Sequence, residues 1–158
     1  MIILICAAAK NGVIGKNGKI PWNFKTDLKN FRKLTMGNIL VLGRKTYESL
    51  PKTLDGRRLI ILTKNENYFS QDSIVNHSPH YILDNYLKSK DKCFIGGGAQ
   101  IFDFFVDYAE KIYLTEIGKD FIGDAYFPLE KLNCFKEISC KEIEEKGVIL
   151  KFKVLQRK

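Results

Sequence analysis

Apolar, strand-like runs that alternate with stretches of helical period are the feature that most limits how this chain can fold. The runs fall at Ile2–Ala8, Asn38–Leu42, Arg58–Leu62, Ile74–Val75, Cys93–Ile95 and Lys111–Glu116, with helical patterns at Lys25–Thr35, Arg44–Leu50, Pro79–Lys88 and Ala99–Tyr108 between them. Such alternation predicts an α/β fold with a mostly parallel central sheet and helices on both faces. Ser78 before Pro79 suits a helix start, with Ser as cap and Pro in the first turn. Near the C-terminus the pattern changes. Leu150, Phe152 and Val154 alternate with Lys151 and Lys153 after a turn-like EEKG, which predicts an antiparallel hairpin strand with one wet face. One domain over residues 1–158 is expected.

A chain of 158 residues buries roughly 70% of its unfolded surface. Hydrophobic and charged contents of 45% and 28% exclude a disordered class. The run in MIILICAAAKNG is too short to span a membrane and lacks a preceding basic region, so it reads as a buried strand in a soluble, cytoplasmic protein. Cys6, Cys93, Cys134 and Cys140 show no CxxC spacing. They read as free thiols, and with His77 and His80 as surface or loop residues no metal site is expected. The formal charge is +8, but the lysines are dispersed without interleaved aromatics. A solvated basic surface that attracts small polyanions is expected rather than a nucleic-acid interface.

The stretch IPWNFKTDLKNF, from Ile20 to Phe31, places an acid where an apolar residue belongs. Phe24, Asp27, Phe31 and Leu34 share one helical face by their spacing of three and four, opposite Lys25, Lys29, Asn30 and Lys33. Either Asp27 complements the helix dipole from the first turn, or it serves a ligand on the buried side.

Ligands of open α/β sheets bind beyond the carboxyl ends of the strands, and three such ends are unusual. In VLGRKTYESL, Gly43 turns the chain and Arg44, Lys45 and Thr46 open a helix, either as an anion site or as a solvated basic turn. In LIILTKN, Thr63 and Lys64 end an apolar strand. In CFIGGGAQIF, glycines allow close backbone approach before a helix, without the GxGxxG or GK[ST] patterns. Together they suit a dinucleotide with an additional phosphate.

The motifs VIGKNGKIPW with Asp27 five residues on, LGRKTYESL, DGRRLIILTKN, IGGGAQIF, IYLTEI and GDAYFP resemble, in order and along essentially the whole chain, those of bacterial dihydrofolate reductases. The resemblance implies NADPH-dependent reduction of 7,8-dihydrofolate, with hydride passing from nicotinamide C4 to pterin C6 and a water-delivered proton to N5. It also implies antifolate binding, and nothing in the sequence demands more than a monomer. Asp27 matches the acid that accepts paired hydrogen bonds from the pterin, and Thr115 matches its threonine partner. Ile5 and Ala7 match the pocket floor, Leu28 and Phe31 its wall, with Leu50 and Leu54 further along the substrate. Arg57 matches the grip on the substrate's α-carboxylate, and Trp22 a residue that orders water. The cofactor side implied by the resemblance comprises Ala7, Ile14, Gly15, Ile20, Gly43, Arg44, Lys45, Thr46, Leu62, Thr63, Lys64, Gly97, Gly98, Ala99, Gln100 and Ile101. Arg44, Thr63 and Lys64 fall where the 2′-phosphate is held. Burial is expected to raise the Asp27 pKa, and Gly12, Gly15 and Gly18 to let AKNGVIGKNGKIPW act as a lid.

The chain departs from the family pattern at Gly96, where a bulky apolar residue is usual. Extra room beside the pterin is expected there, at the expense of diaminopyrimidine inhibitors more than substrate. Gln100 replaces a common basic residue, which shifts phosphate recognition toward Arg44 and Lys64. A pyrimidine reductase of riboflavin synthesis on the same fold is the nearest alternative reading, and a basic RNA-binding module the more distant one.

Overall fold

The computed structural model describes residues 1–50 and 54–158. Among them, β1 (Ile2–Ala9) and β2 (Val13–Gly15) precede α1 (Lys25–Thr35), followed by β3 (Ile39–Gly43), α2 (Arg44–Ser49) and β4 (Arg58–Leu62). Then come β5 (Ile74–Asn76), α3 (His80–Tyr86), β6 (Cys93–Ile95), α4 (Ala99–Phe105) and β7 (Lys111–Ile117). A short β8 (Ala125–Tyr126) and a 3-10 helix over Leu129–Cys134 lead into β9 (Phe135–Glu145) and β10 (Val148–Arg157).

Eight of these strands form one sheet in the order β5-β4-β3-β6-β1-β7-β10-β9. The first six are mutually parallel, and β10 runs antiparallel to both β7 and β9. The hairpin therefore enters with its second strand docked on β7. Its first strand, β9, lies outermost, where exposed Lys136, Glu137, Lys141 and Glu142 discourage further pairing. Lys146 and Gly147 join the two strands with φ of 54° and 77°, and the Glu145–Val148 register makes this a two-residue turn of the type that fits strand twist.

Alternate residues of β1 divide the core. Ile2, Leu4, Cys6 and Ala8 pack with Ile82 of α3 and Phe102 and Phe105 of α4. Ile3 and Ile5 pack on the opposite face with Leu40, Leu42 and Phe94, against Phe31 and Leu34 of α1 and Tyr47 of α2. Helices thus cover both faces, as the alternation predicts.

Helix ends differ by a turn or less. The Ser78 hydroxyl accepts the His80 N–H at 3.3 Å and Pro79 has helical φ, but α3 starts at His80 with Pro79 in the cap position, one residue later than predicted. The α4 pattern stops at Phe105 rather than Tyr108. There the chain tightens, with the Tyr108 N–H on the Phe105 carbonyl at 3.0 Å, to bring buried Ala109 under the sheet ahead of β7. The β2–β8 pair, with the Asp124 N–H on the Gly15 carbonyl at 3.0 Å, is absent from the sequence reading, which treats both segments as loop. No helix among the described residues is long and apolar enough to cross a membrane.

Candidate active site

Helix α1 crosses a boundary between two apolar clusters. Phe24 is buried with Ile117 and Leu150, and Ala7, Trp22 and Phe152 pack against that group. Phe31 and Leu34 pack against the other cluster, with Ile5, Leu42 and Phe94. Asp27 lies between Phe24 and Phe31 on this face, at the seam. Beneath it, Ala7 of β1, Thr115 of β7 and Phe152 of β10 are aligned across three adjacent strands. An acid on an apolar face is explained by this position. It does not sit inside either cluster, but where they part.

The seam alters the acid. Burial pushes the Asp27 carboxyl from its ordinary 3.8 up to about 6. A hydrogen bond with the buried Thr115 hydroxyl opposes the rise, and the negative charge of Glu145 adds to it. A half-buried carboxyl held in this way can take the paired N–H groups of a flat heterocycle and fix its orientation.

Ile5 and Ala7 form the floor next to Asp27, and Phe31, Leu50 and Leu54 pack along the second cluster. Leu28 is 44% exposed at the rim rather than inside the wall. Arg57 lies near the other end of α1. Its side chain is 2% exposed, with Nη1 donating to Thr35 Oγ1 at 3.3 Å and Nε to the Asp55 carbonyl at 3.0 Å. Arg32 grips Asp55 through both carboxylate oxygens at 2.8 and 3.0 Å. From Asp27 to Thr35 the helix rises about 12 Å, so a ligand touching both groups must be elongated along α1.

The room expected beside Gly96 is not there. A Cβ at Gly96 would lie 2.7 Å from Leu42 Cδ2 and 3.3 Å from Leu40 Cδ1. Two leucines from β3 occupy the volume that a side chain from β6 would otherwise take.

The three strand ends singled out in the sequence meet at one sheet edge, because β4, β3 and β6 are parallel neighbours in register. The Gly43 N–H donates to the Gly97 carbonyl at 2.8 Å. A Cβ at Gly43 would contact Ile101, and one at Gly98 would come within 3.1 Å of Thr46 Oγ1. The Gly97–Gly98 peptide is cis, and Gly97 has φ of 110°. Arg44 flanks this cradle, its guanidinium 3.3 Å from Glu48 and 6.0 Å from the Tyr68 ring centroid. Thr63 follows Leu62 of β4, and exposed Lys45, Lys64 and Gln100 border the cradle in sequence. Because α2 spans only Arg44–Ser49, recognition of an anion here rests on Arg44 and its neighbours more than on a helix dipole. His77, read as a loop residue, contacts the Thr63 carbonyl through Nδ1 at 2.8 Å.

Before α1, residues expected to form a lid loop contain β2 and a tight turn. Lys16 and Lys19 exchange backbone hydrogen bonds at 2.8 and 3.0 Å around Asn17 and Gly18, which have positive φ. The Asn17 N–H donates to the Asp124 carboxylate at 3.0 Å. Ile14 packs against the main core, Ile20 is 46% exposed, and Trp22 meets Phe121 with ring centroids 5.1 Å apart. Asp124 and Glu145 escape the sequence reading as individual residues, since each acts on a segment over a hundred positions away. For Asp124 the GDAYFP motif was the available signal.

A family model described as dihydrofolate reductase matches residues 1–157. The dihydrofolate reductase of Staphylococcus haemolyticus is 37% identical over 147 residues, covering 93% of this chain and 86% of that protein. That of Lactococcus lactis is 40% identical over 131 residues, covering 81% and 78%. Among solved structures, dihydrofolate reductase from Enterococcus faecalis complexed with NADP(H) and RAB-propyl superimposes with a TM-score of 0.91 at 32% identity, covering 99% of this chain and 96% of that one.

Proposed function

The chain belongs to the dihydrofolate reductase family, and from that premise we propose that Asp27 orients and polarises the pterin in the family reaction. The protein is an NADPH-dependent oxidoreductase that reduces 7,8-dihydrofolate to tetrahydrofolate. The pyrimidine reductase alternative is not favoured, since the matched model and these relatives are dihydrofolate reductases.

The residues present fit NADPH. A Cβ at Gly43 or Gly98 would crowd the backbone cradle, and one at Gly97 would press on the Phe102 ring beneath it. Arg44, Thr63 and Lys64 stand beside it as donors for the 2′-phosphate, with Lys45 and Thr46 opening α2. Ala7, Ile14, Gly15 and Ile20 would line the nicotinamide end. When bound, the cofactor supplies the hydride for pterin C6.

The observation that carries the mechanism is Asp27 at the seam, with its carboxyl pushed up to about 6. Accepting from the 2-amino group and N3, Asp27 addresses the pterin edge remote from N5. In that pose its negative charge pushes electron density toward the ring and makes N5 more basic, so a water, ordered with the help of Trp22, delivers the proton there. Ile5, Ala7, Leu28 and Phe31 hold the pterin and exclude other water. Leu50 and Leu54 support the middle of the substrate, and Arg57 takes its α-carboxylate. The residues 10–20 segment closes over the site while anchored by Asp124. The 158 residues act as one domain and as a monomer in the cytoplasm, a reading supported by both pockets lying on one sheet and by four free cysteines.

The test follows NADPH oxidation with 7,8-dihydrofolate for the parent and for Asp27→Asn. Turnover by the parent that falls at least about 100-fold in the variant at pH 7 is expected. Equal turnover in the two would remove Asp27 from the mechanism.

A further inference from the structure

Helix α1 begins at Phe24 without any cap from its own segment. The cap arrives instead from the β9–β10 hairpin. Glu145 accepts the Lys25 N–H through Oε2 at 2.8 Å and the Thr26 N–H through Oε1 at 3.0 Å, and the Thr26 hydroxyl also donates to Oε1. Next to it, Lys146 Nζ donates to the Asn23 carbonyl at 2.8 Å and lies 6.0 Å from the Phe24 ring centroid. A turn some 120 positions away thus holds residues 23–26, the four that immediately precede Asp27. Side-chain carboxylates satisfy the orphan N–H groups of a helix start and complement its dipole. Here the carboxylate that does so is also a like charge that acts on Asp27.

We propose that Glu145 is a positioning residue for the reduction: from the far hairpin it fixes the first turn of α1, and so the Asp27 carboxyl, and it sets a negative charge against that carboxyl. The proposal rests on the assignment of Asp27 as the pterin-binding acid. It is independent of the cofactor pocket.

The groups that act on or feel Asp27 are the Thr115 hydroxyl from β7, the buried Cys6 thiol from β1 and Glu145 from the hairpin. Of these, Glu145 acts on Asp27 by charge in the direction that keeps its proton, and Thr115 acts against it by hydrogen bonding. Removing the Glu145 charge leaves the positive helix start uncompensated, which favours ionised Asp27.

The experiment uses Glu145→Gln, which retains an amide oxygen as acceptor for the cap but loses the charge. The Asp27 carboxyl is followed by 13C NMR against pH in the unliganded protein, and kcat/KM for dihydrofolate is followed over the same range. The variant is expected to titrate about half a pH unit lower, with kcat/KM at pH 7 about threefold lower. High salt should shrink the difference between the two proteins. Glu145→Asp, which restores the charge, is expected to return the titration toward that of the parent. A Glu145→Gln titration that superimposes on the parent, even with a lowered Tm, overturns the proposal and leaves Glu145 a plain helix cap. Asp27→Asn in the same kinetic series separates the two levels. If that variant still turns over, the assignment of Asp27 fails. If it collapses while Glu145→Gln titrates like the parent, only the role of Glu145 fails.

Discussion

Asp27→Asn is expected to stabilise the unliganded protein at neutral pH while it stops turnover. The folded-state carboxyl titrates at about 6 against an ordinary value of 3.8. That gap of about 2 pH units, at 1.36 kcal/mol each, sets a ceiling of about 3 kcal/mol. Asp27 keeps partial contact with solvent, and halving the ceiling for that screening leaves about 1.5 kcal/mol. Because the folded-state value is raised, the parent holds its full stability below about pH 4 and loses this portion as pH rises through about 6. Asparagine has no such titration, so the advantage of the variant should be small at pH 4 and complete by pH 7.5. Urea unfolding of the ligand-free proteins at those two pH values measures it directly. At neutral pH the expected gain also appears as about 3–6 °C in Tm. A variant no more stable at pH 7.5 than at pH 4, relative to the parent, would refute the claim that burial at the seam strains this carboxylate.

The two remaining predictions concern the cofactor edge and the pterin wall. Arg44→Ala is expected to raise KM for NADPH by about 10–100-fold, the scale of one charged hydrogen bond, and to leave weak NADH use unchanged; steady-state kinetics with both cofactors checks it, and equal losses on both would point to a structural defect instead. Gly96→Ala should cost about 1–3 kcal/mol by overpacking against Leu42, and adding Leu42→Val should recover part of that loss. A double-mutant cycle by urea unfolding reads the coupling, and strict additivity would show that the two positions do not compete for one volume.

Local pattern carried the reading of this chain a long way. Period-two and apolar runs identified β1, β3, β4, β6 and β7 to within a residue, because buried strands need little beyond their own side chains to declare themselves. The face shared by Phe24, Asp27, Phe31 and Leu34 was visible for the same reason. What the pattern could not convey was which partner each face would meet. That Phe24 and Phe31 enter different clusters follows from sheet order, not from their spacing. The β2–β8 pair joins segments of three and two residues, too short for any alternation to register. The misjudged space at Gly96 has a similar origin, since a missing side chain on β6 says nothing of the leucines that β3 places there. The cap on α1 is the extreme case. Its sequence shows a helix start without a capping residue, and the missing acid lies beyond six intervening strands, at the end of β9.

The position of the hairpin also sets a clock. Helix α1 is complete at Thr35, but β10 ends at Arg157, about 120 residues later, which at 5–20 residues per second is a delay of about 6–24 s during synthesis. Over that interval the emerging chain has displayed Asp27 and both glycine-edged strands, yet the first turn of α1 has no cap and β7 has no neighbour on its outer side. Parallel strands already waiting in the growing sheet must tolerate an unpaired edge until the hairpin arrives. The chain therefore acquires Asp27 early and the cap that holds its helix turn late, with about 120 residues of synthesis between the two.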